Sequence, residues 1–470
     1  MSRFARFAQW FNSDRFKYIT RPYTAQDLKV LLPPIRTRSA SNEMSRRLYS
    51  LLRGHQKNGS TSYTFGALDP ISVSQMAPHL DTVYISGWQA SSVSPGSVAL
   101  PGPDIGDYTY DTIPGRVQLL HNAMEFHQTK NNYLHSIDPK ANPAINYLIP
   151  IIADADNSLG GLTTMMKMTK LFIQNGVSGI HIEDQRLGQK KCGHLGSKCL
   201  SSVQEQINRL IAARLQADLL QNELVIIGRI DAESALYLDN DIDPRDHPFI
   251  LGKIQGTDKI CTVAEAKEYL IKIGKISASD ANNSYKKYFS WNDHRTSEGF
   301  YHVKNGMDAC LNRAISTAPY CDMIWMETSK PDYNQAKEFA ERVKEKVPHM
   351  MLAYNLSPSF NWSKSGMTDK QIKDFIHELG KLGYNWQFMT LANMHVNALA
   401  INRFVKQYKE DGVLGYVENI QRKELEENVD VYKHQRWAGI DAIDKYVSLI
   451  TNNQSSTLGN SKGITEEQFK

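Results

Sequence analysis

In the run Lys190-Lys191-Cys192-Gly193-His194 one thiol stands among two lysines and an imidazole. Positive neighbours lower a thiol pKa and favour the thiolate. Such a thiol can deliver a proton to a carbanion or attack a carbon, and the glycine permits close backbone approach to a ligand. Two other readings fit the loop. Cys192, His194 and Cys199 could ligate zinc, but no second Cys-x-x-Cys or His-x-x-x-His pair accompanies them. The plain alternative is a solvated basic loop with a small buried cysteine. Other polar residues recur at intervals: Asp154 and Asp156, Glu183 and Asp184, Arg229 and Asp231, Glu327, then Asn355, Leu356, Ser357, Pro358 and Ser359, and Thr390. Gathered at one place, the carboxylates would repel one another, and a hard divalent cation such as Mg²⁺ relieves that. Arg229 suits bidentate pairing with a substrate carboxylate, and Asn355, Ser357 and Ser359 suit neutral hydrogen bonds to a second one.

The elements that must carry these residues show as eight short apolar runs, at 62–69, 82–88, within 145–156, at 177–185, 224–231, 322–328, 350–357 and 385–391. Helical spacing fills the intervals at 162–174, 203–220, 334–347 and 369–382. Strand–helix alternation with apolar strands predicts a parallel sheet, and eight units predict closure into an α/β barrel of the (β/α)₈ TIM type. In such barrels the active site lies at the C-terminal ends of the strands, and each polar group above ends a predicted strand. The expected organisation is an N-terminal helical segment (1–61), a first barrel part (62–252), a short inserted subdomain (253–288), a second barrel part (289–394) and a C-terminal helical tail (395–470).

Composition fits this picture. Of 470 residues 41% are hydrophobic, enough for a large core, and a net charge of +4 without any long Lys/Arg run argues against nucleic-acid binding. Five cysteines are too few and odd in number for a disulfide framework, which fits a reducing compartment. No apolar stretch is long enough to span a bilayer. Residues 1–16 carry Arg3, Arg6 and Arg15 among apolar residues, faintly like a mitochondrial presequence, though a plain N-terminal helix is the preferred reading. The C-terminal residues Glu466 to Lys470 do not form a peroxisomal tripeptide. The cytosol is the expected location, with peroxisome (glyoxysome) or mitochondrial matrix as alternatives.

The motif KKCGH (190–194) resembles the signature of the family of isocitrate lyases and 2-methylisocitrate lyases. SGW (86–88), IIADAD (151–156), GIHIEDQ (179–185), RTSEGFY (295–301) and YNLSPSFNW (354–362) resemble that family too, in the family's order, from about Trp10 to the C-terminus. The resemblance implies a Mg²⁺-dependent (Mn²⁺ as alternative) retro-aldol cleavage of isocitrate to succinate and glyoxylate. By it, Asp154 would ligate the metal, with Asp104, Asp156 and Glu183 acting mostly through metal-bound waters. Ser86, Gly87 and Trp88 would bind glyoxylate. Gly193, His194, Arg229, Asn355, Ser357, Ser359 and Thr390, within the run that includes Leu356 and Pro358, would bind the succinate part. Cys192 would be the acid that protonates the succinate carbanion, with His194 beside it, and Tyr84 a candidate base. The helical tail would be exchanged between subunits of a homotetramer.

Three departures from the family pattern stand out. The loop after the third strand reads Asn157-Ser158-Leu159-Gly160-Gly161, where the family has Thr-Gly-His/Phe-Gly-Gly, so a positive φ at Ser158 would be costly. Ile230 replaces a threonine, and Asn393 a glycine. They leave open a catalytically silent paralogue or partner subunit as an alternative. The segment 253–288 resembles, in shortened form, the insertion of eukaryotic isocitrate lyases. Trp88, Phe388 and Thr390, with NALA (397–400) and VDVYKHQRW (429–437), resemble the fungal isocitrate lyase branch more than the 2-methylisocitrate branch, which would give succinate and pyruvate. A single methyl is worth only about 1–3 kcal/mol of discrimination.

Overall fold

A computed structural model describes residues 1–93 and 100–469. The chain forms two compact units: residues 1–66, 80–118 and 150–391, and residues 67–79, 119–149 and 392–470. The first unit holds a closed barrel of eight parallel strands. They are β1 (Ser62–Gly66), β2 (Thr82–Ile85), β3 (Ile151–Asp154), β4 (Gly179–Glu183), β5 (Val225–Ile230), β6 (Met323–Met326), β7 (Met351–Asn355) and β8 (Tyr384–Met389). Each pairs with its neighbours in chain order and β8 closes on β1. All eight predicted runs contain a strand, shorter by a few residues at the ends. At β2 the reason is specific: the chain leaves the sheet at Ser86 and turns into the helix Gly87–Ser92, so Trp88 is helical.

Helices Leu162–Gln174, Val203–Leu219, Tyr333–Lys346 and Asp369–Leu382 follow β3, β4, β6 and β7. Their starts are set by polar caps: Ser202 accepts from the Glu205 N–H, Asp332 from that of Gln335, and Thr368 forms a capping box with Gln371. Segment 253–288 contributes the helix Val263–Lys272 and part of a small antiparallel sheet packed around its own apolar cluster.

Side chains alternate along a strand, so the barrel interior fills in layers. Val225, Ile227, Met323, Trp325, Met351, Ala353, Trp386, Phe388, Ile152 and Tyr84 form the interior core. Leu48 and Leu52, from the helix Ala40–Asn58, join it; Leu48 lies against Gly179, at the N-terminal end of β4, and so closes the lower end. Stepping two residues up each strand from Tyr84, Ile152, His181, Ile227, Trp325, Ala353 and Phe388 gives Ser86, Asp154, Glu183, Arg229, Glu327, Asn355 and Thr390. The top layer is therefore polar by register alone.

Residues 1–24 pack within the first unit. Phe7, Phe11 and Leu28 are buried with Leu215 and Leu219 beside them. Arg15 Nη1 reaches Asp322 Oδ1 at 2.6 Å, and Arg214 Nη2 binds the other oxygen at 2.7 Å. Arg15 also donates to the carbonyls of Glu223 and Leu224, just before β5. These two guanidiniums outweigh the burial of Asp322 and hold its carboxyl down at about 2. Removing one partner of a buried pair leaves an uncompensated charge. Arg15→Ala is expected to lower unfolding stability by about 3 kcal/mol, since Arg214 still covers one oxygen. Denaturant unfolding checks this, and a loss below about 1 kcal/mol would contradict it.

Candidate active site

The polar layer is gathered by strand pairing. Asp154 on β3 is in register with His181 on β4, and Glu183 with Arg229 on β5. Arg229 lies at the centre: Nη1 is 3.3 Å from Glu183 Oε2, Nε is 3.1 Å from Asp231 Oδ2, and Nη2 is 3.7 Å from Glu327 Oε2. Its guanidinium sits 4.5 Å from the Trp325 ring centroid. Burial opposes the charge, but Asp231, Glu183 and Glu327 outweigh it and raise the Arg229 pKa.

Asp154 is held by its surroundings. Its Oδ2 accepts from Gly87 N (3.1 Å) and Tyr84 Oη (3.3 Å), and its Oδ1 from Asp156 N (2.9 Å). A Cβ on Gly87 would lie 2.6 Å from Tyr108 Oη and 2.9 Å from Asp154 Oδ2, so only glycine allows this approach. Tyr84 Oη also lies 2.8 Å from His181 Nε2. Burial, then Asp154, pushes the Tyr84 phenol well up, while burial and Arg229 push His181 well below its usual value. Tyr84 is thus a neutral phenol facing a neutral imidazole.

Asp156 accepts from Tyr108 Oη and from Lys190 Nζ, and Lys190 Nζ reaches Asp104 Oδ1 at 2.5 Å. Burial raises the pKa of Asp104, Asp154, Asp156 and Glu183, with Lys190 or Arg229 as the main opposing influence. Neither oxygen of Glu183 has a hydrogen-bond donor, and Asp156 Oδ1 also lacks one of good geometry. Buried carboxylate oxygens without donors are the mark of a site for a cation. As the side chains stand, no group of three or more His, Cys, Asp or Glu among the described residues closes around a metal position. Lys190 stands among Asp104, Asp156, Glu183 and Asp154 as their counter-charge.

The loop with the thiol lies over this layer. Cys192 N donates to Asp104 O at 2.8 Å, and Lys198 Nζ holds Gly193 O at 2.9 Å and Asp231 Oδ1 at 2.8 Å. A Cβ on Gly193 would stand 2.5 Å from Arg229 Nη2, so this glycine is what lets the loop reach the guanidinium. His194 Nε2 is 3.3 Å from Glu327 Oε1 and 3.5 Å from Asn355 Nδ2. Asn355 Nδ2 donates to Glu327 at 3.2 Å, leaving Asn355 Oδ1 buried without a partner. Leu356 N donates to Phe388 O, and Ser357 Oγ accepts from Ser359 N, which shapes the turn through Pro358. Ser86 and Thr390 directly follow the ends of β2 and β8, and Trp88 lies in the first turn of the helix Gly87–Ser92.

One sequence expectation is overturned. Burial, the largest influence, pushes the Cys192 thiol up to about 11. The flanking charges do not produce a thiolate, because Lys190 is spent on the aspartates and Lys191 turns to the carbonyls of Gly196 and Ser197. Burial thus favours the neutral thiol at Cys192. Sequence reading gave no role to Lys190, Tyr108 or His181; the lysine and the histidine carried a signal only as members of the runs 190–194 and 179–185.

The loop after β3 is strained. Asp156 (φ 47°), Ser158 (φ 81°) and Leu159 (φ 50°) all adopt left-handed backbone, and such residues cluster at functional sites. Ser158 Oγ bonds Gly160 O at 2.5 Å. Ser158→Ala keeps the strain and loses this bond, so it is expected to lower stability by about 1 kcal/mol, whereas Ser158→Gly removes the strain and stays near wild type. Denaturant midpoints check the order, and a glycine variant weaker than the alanine one would contradict it. Asn393, another departure, accepts from the Leu68 N–H at 2.9 Å within the second unit.

Comparison with known proteins agrees with the fold. A 2,3-dimethylmalate lyase of the PEP mutase/isocitrate lyase superfamily shares the fold, with a TM-score of 0.51 over 90% of this chain and 99% of that one, at 16% identity. The isocitrate lyase of Saccharomyces cerevisiae is 39% identical, covering 99% of this chain and 95% of its own, and that of Oryza sativa subsp. japonica is also 39% identical, covering 98% and 92%. A mitochondrial 2-methylisocitrate lyase of Hypocrea atroviridis is 36% identical, covering 98% and 92%. The isocitrate lyase family itself matches residues 4–276 and 272–469, and the chain belongs to the isocitrate lyase family.

Proposed function

We propose that the protein cleaves isocitrate into succinate and glyoxylate. The observation that carries the reading is the buried layer at the top of the barrel that gathers Arg229 and the carboxylates Asp104, Asp154, Asp156 and Glu183, with the Cys192 loop bonded to Asp104. Asp104, Asp154, Asp156 and Glu183 supply oxygen donors of the type Mg²⁺ selects, with Mn²⁺ as alternative, and the Glu183 oxygens, which accept no hydrogen bond, fit such an ion. When bound, a divalent cation there polarises the substrate hydroxyl and its adjacent carboxylate.

The chain's own residues do the rest. Arg229, His194 and Asn355, with Ser357, Ser359 and Thr390, bind the succinate half, while Ser86, Gly87 and Trp88 bind the glyoxylate half. Tyr84 takes the proton of the C2 hydroxyl as it passes its own along its hydrogen bond to Asp154 Oδ2, 3.3 Å away, a carboxylate that burial makes more basic. The C2–C3 bond breaks, C2 becomes the aldehyde carbon of glyoxylate, and the electron pair stays on C3. Cys192 Sγ then gives its proton to C3 and completes succinate. The loop that carries Cys192 keeps water away from the carbanion.

Isocitrate is favoured over its 2-methyl homologue because the floor beneath this layer is tightly packed. Phe388 stacks on Trp386 at 3.9 Å and lies 4.9 Å from Tyr84, all fully buried. Glyoxylate release from isocitrate and pyruvate release from 2-methylisocitrate, measured side by side with Mg²⁺, test this. We expect kcat/KM at least tenfold higher for isocitrate, the lower end of what one methyl can discriminate. A preference for 2-methylisocitrate would reassign the substrate. Failure of folded protein to release either product would favour the silent-paralogue reading, with Ser158 and Leu159 as its cause.

A homotetramer in the cytosol is part of the same proposal. In the second unit the helix Ala392–Asp411 exposes Val396, Leu399, Ile401 and Val405, an apolar surface suited to a second copy of this chain. Light scattering should give the mass of four chains, and a monomer at micromolar concentration would refute it.

A further inference from the structure

The chain from Arg186 to Cys199 is a loop tied at its base: Arg186 N donates to Cys199 O at 2.8 Å, and Gln185 pairs with Leu200. Gln185 stands at that base, fully buried. Its carbonyl oxygen accepts from Arg209 Nη1 at 2.8 Å, with Asn157 Nδ2 3.4 Å away, so its backbone is a fixed anchor. Its side chain crosses the loop. Oε1 accepts from Lys191 N at 2.9 Å, and Nε2 donates to Lys191 O at 2.8 Å. A primary amide can meet a backbone N–H and a C=O at once, and these two partners fix which end of it is oxygen. The Lys191 carbonyl shares its peptide unit with the Cys192 N–H, which Asp104 O holds at 2.8 Å. The unit is planar, so bonds at both ends set its orientation. The peptide after the thiol is held too, since Cys192 O accepts from Leu195 N at 2.9 Å. Between two fixed peptides the Cys192 Cβ has one direction, and only rotation about Cα–Cβ is left to the thiol.

We propose that Gln185 is a positioning residue for proton delivery: by clamping the Lys191 peptide at both its polar atoms, it aims Cys192 Sγ at the carbon to be protonated. Gln185 acts through the backbone and takes no part in the chemistry itself. Proton transfer depends steeply on geometry, and a misplacement of about 1 Å can cost about 10²-fold in rate. A loop tied only at its base would leave the thiol free to wander over such distances. The clamp removes that freedom at the residue just before the thiol, from an arm rooted in the barrel. The role rests on Cys192 as the proton donor of the reaction proposed above.

Two measurements on the full-length protein test it. Gln185→Met keeps the length of the side chain and removes both bonds. In folded Gln185→Met with Mg²⁺, kcat for isocitrate should fall by about tenfold or more while KM stays within about threefold, because Arg229 and Asn355 keep their places. The solvent deuterium isotope effect on kcat should be larger than in wild type, since proton transfer from a loosened thiol becomes the slow step. A purely structural loss would leave that isotope effect unchanged. The second measurement uses wild type alone, so it stands even if Gln185→Met fails to fold. The Lys191 amide, bonded to buried Gln185 Oε1, should exchange its hydrogen about a hundredfold or more slowly than in an unstructured peptide. Unchanged kcat, a KM that rises in step, an isotope effect equal to that of wild type, or a freely exchanging Lys191 amide would each overturn the positioning role. Wild type that releases no glyoxylate from isocitrate would overturn the proposed function instead, and exchange of the Lys191 amide would still decide whether the clamp forms.

Discussion

Cys192→Ser is expected to reduce kcat for isocitrate cleavage by about 10²–10⁴-fold, the range for loss of a positioned general acid. The serine hydroxyl fits the same space and keeps the backbone bond from residue 192 to Asp104, so stability should change little. What is lost is proton donation, because a hydroxyl is a far weaker acid than the thiol, even with that thiol at about 11. The discriminating pattern is a fall in kcat with KM for isocitrate held within about threefold, as for a group acting only in the transition state. A parallel rise in KM would show instead that the loop had lost its docked position. An unchanged kcat would remove Cys192 from the chemistry.

Substitution of Arg229 has the second large effect, and it acts on stability and catalysis together. Arg229 is the common partner of Glu183, Asp231 and Glu327, all buried. Arg229→Met leaves these carboxylates without it: Asp231 keeps Lys198, Glu327 keeps the His194 imidazole, and Glu183 keeps only the influence of Lys190. Loss of a partner from such a buried network typically costs about 3–5 kcal/mol, so Arg229→Met should be marginally folded. Arg229→Lys keeps the charge but loses the planar fork that can hold Glu183 and Asp231 while facing a substrate carboxylate. It should fold, with kcat/KM lowered by about 10²-fold or more, in line with 2–5 kcal/mol for a buried charge pair. Circular dichroism with steady-state kinetics checks both variants. Near-normal kcat/KM in Arg229→Lys would show that the fork does not touch substrate.

The barrel was legible because its strands are buried on both faces, so they read as continuous apolar runs with helices between. Strand ends were less legible. Gln185, Asp231 and Thr328 continue an extended-looking run, but they already belong to loops, and Ser86 turns the chain into a helix that carries Trp88 out of β2. The gathering of Asp154, Glu183, Arg229, Glu327 and Asn355 was legible because each ends a predicted strand, and the C-terminal strand ends of a barrel meet at one mouth. The protonation of Cys192 was misread, because a thiol's neighbours in sequence say nothing about its desolvation, which dominates here. Lys190 and Lys191 show the same limit. They are adjacent and chemically identical, yet one is enclosed by aspartates from distant loops and the other reaches nearby carbonyls. Tyr108 was invisible for that reason too: its partner Asp156 is 48 positions away and no local pattern joins them.

The central claim, that the site breaks the C2–C3 bond and Cys192 supplies the proton that completes succinate, is tested most directly in heavy water. Protein with Mg²⁺ and isocitrate in D₂O should yield glyoxylate and succinate carrying one deuterium per molecule on carbon, visible by proton NMR, because the Cys192 S–H exchanges with solvent before each turnover. Cys192→Ser should form this succinate at least about a hundredfold more slowly. Isocitrate left intact by folded protein, or monodeuterated succinate formed equally fast by Cys192→Ser, would contradict the account.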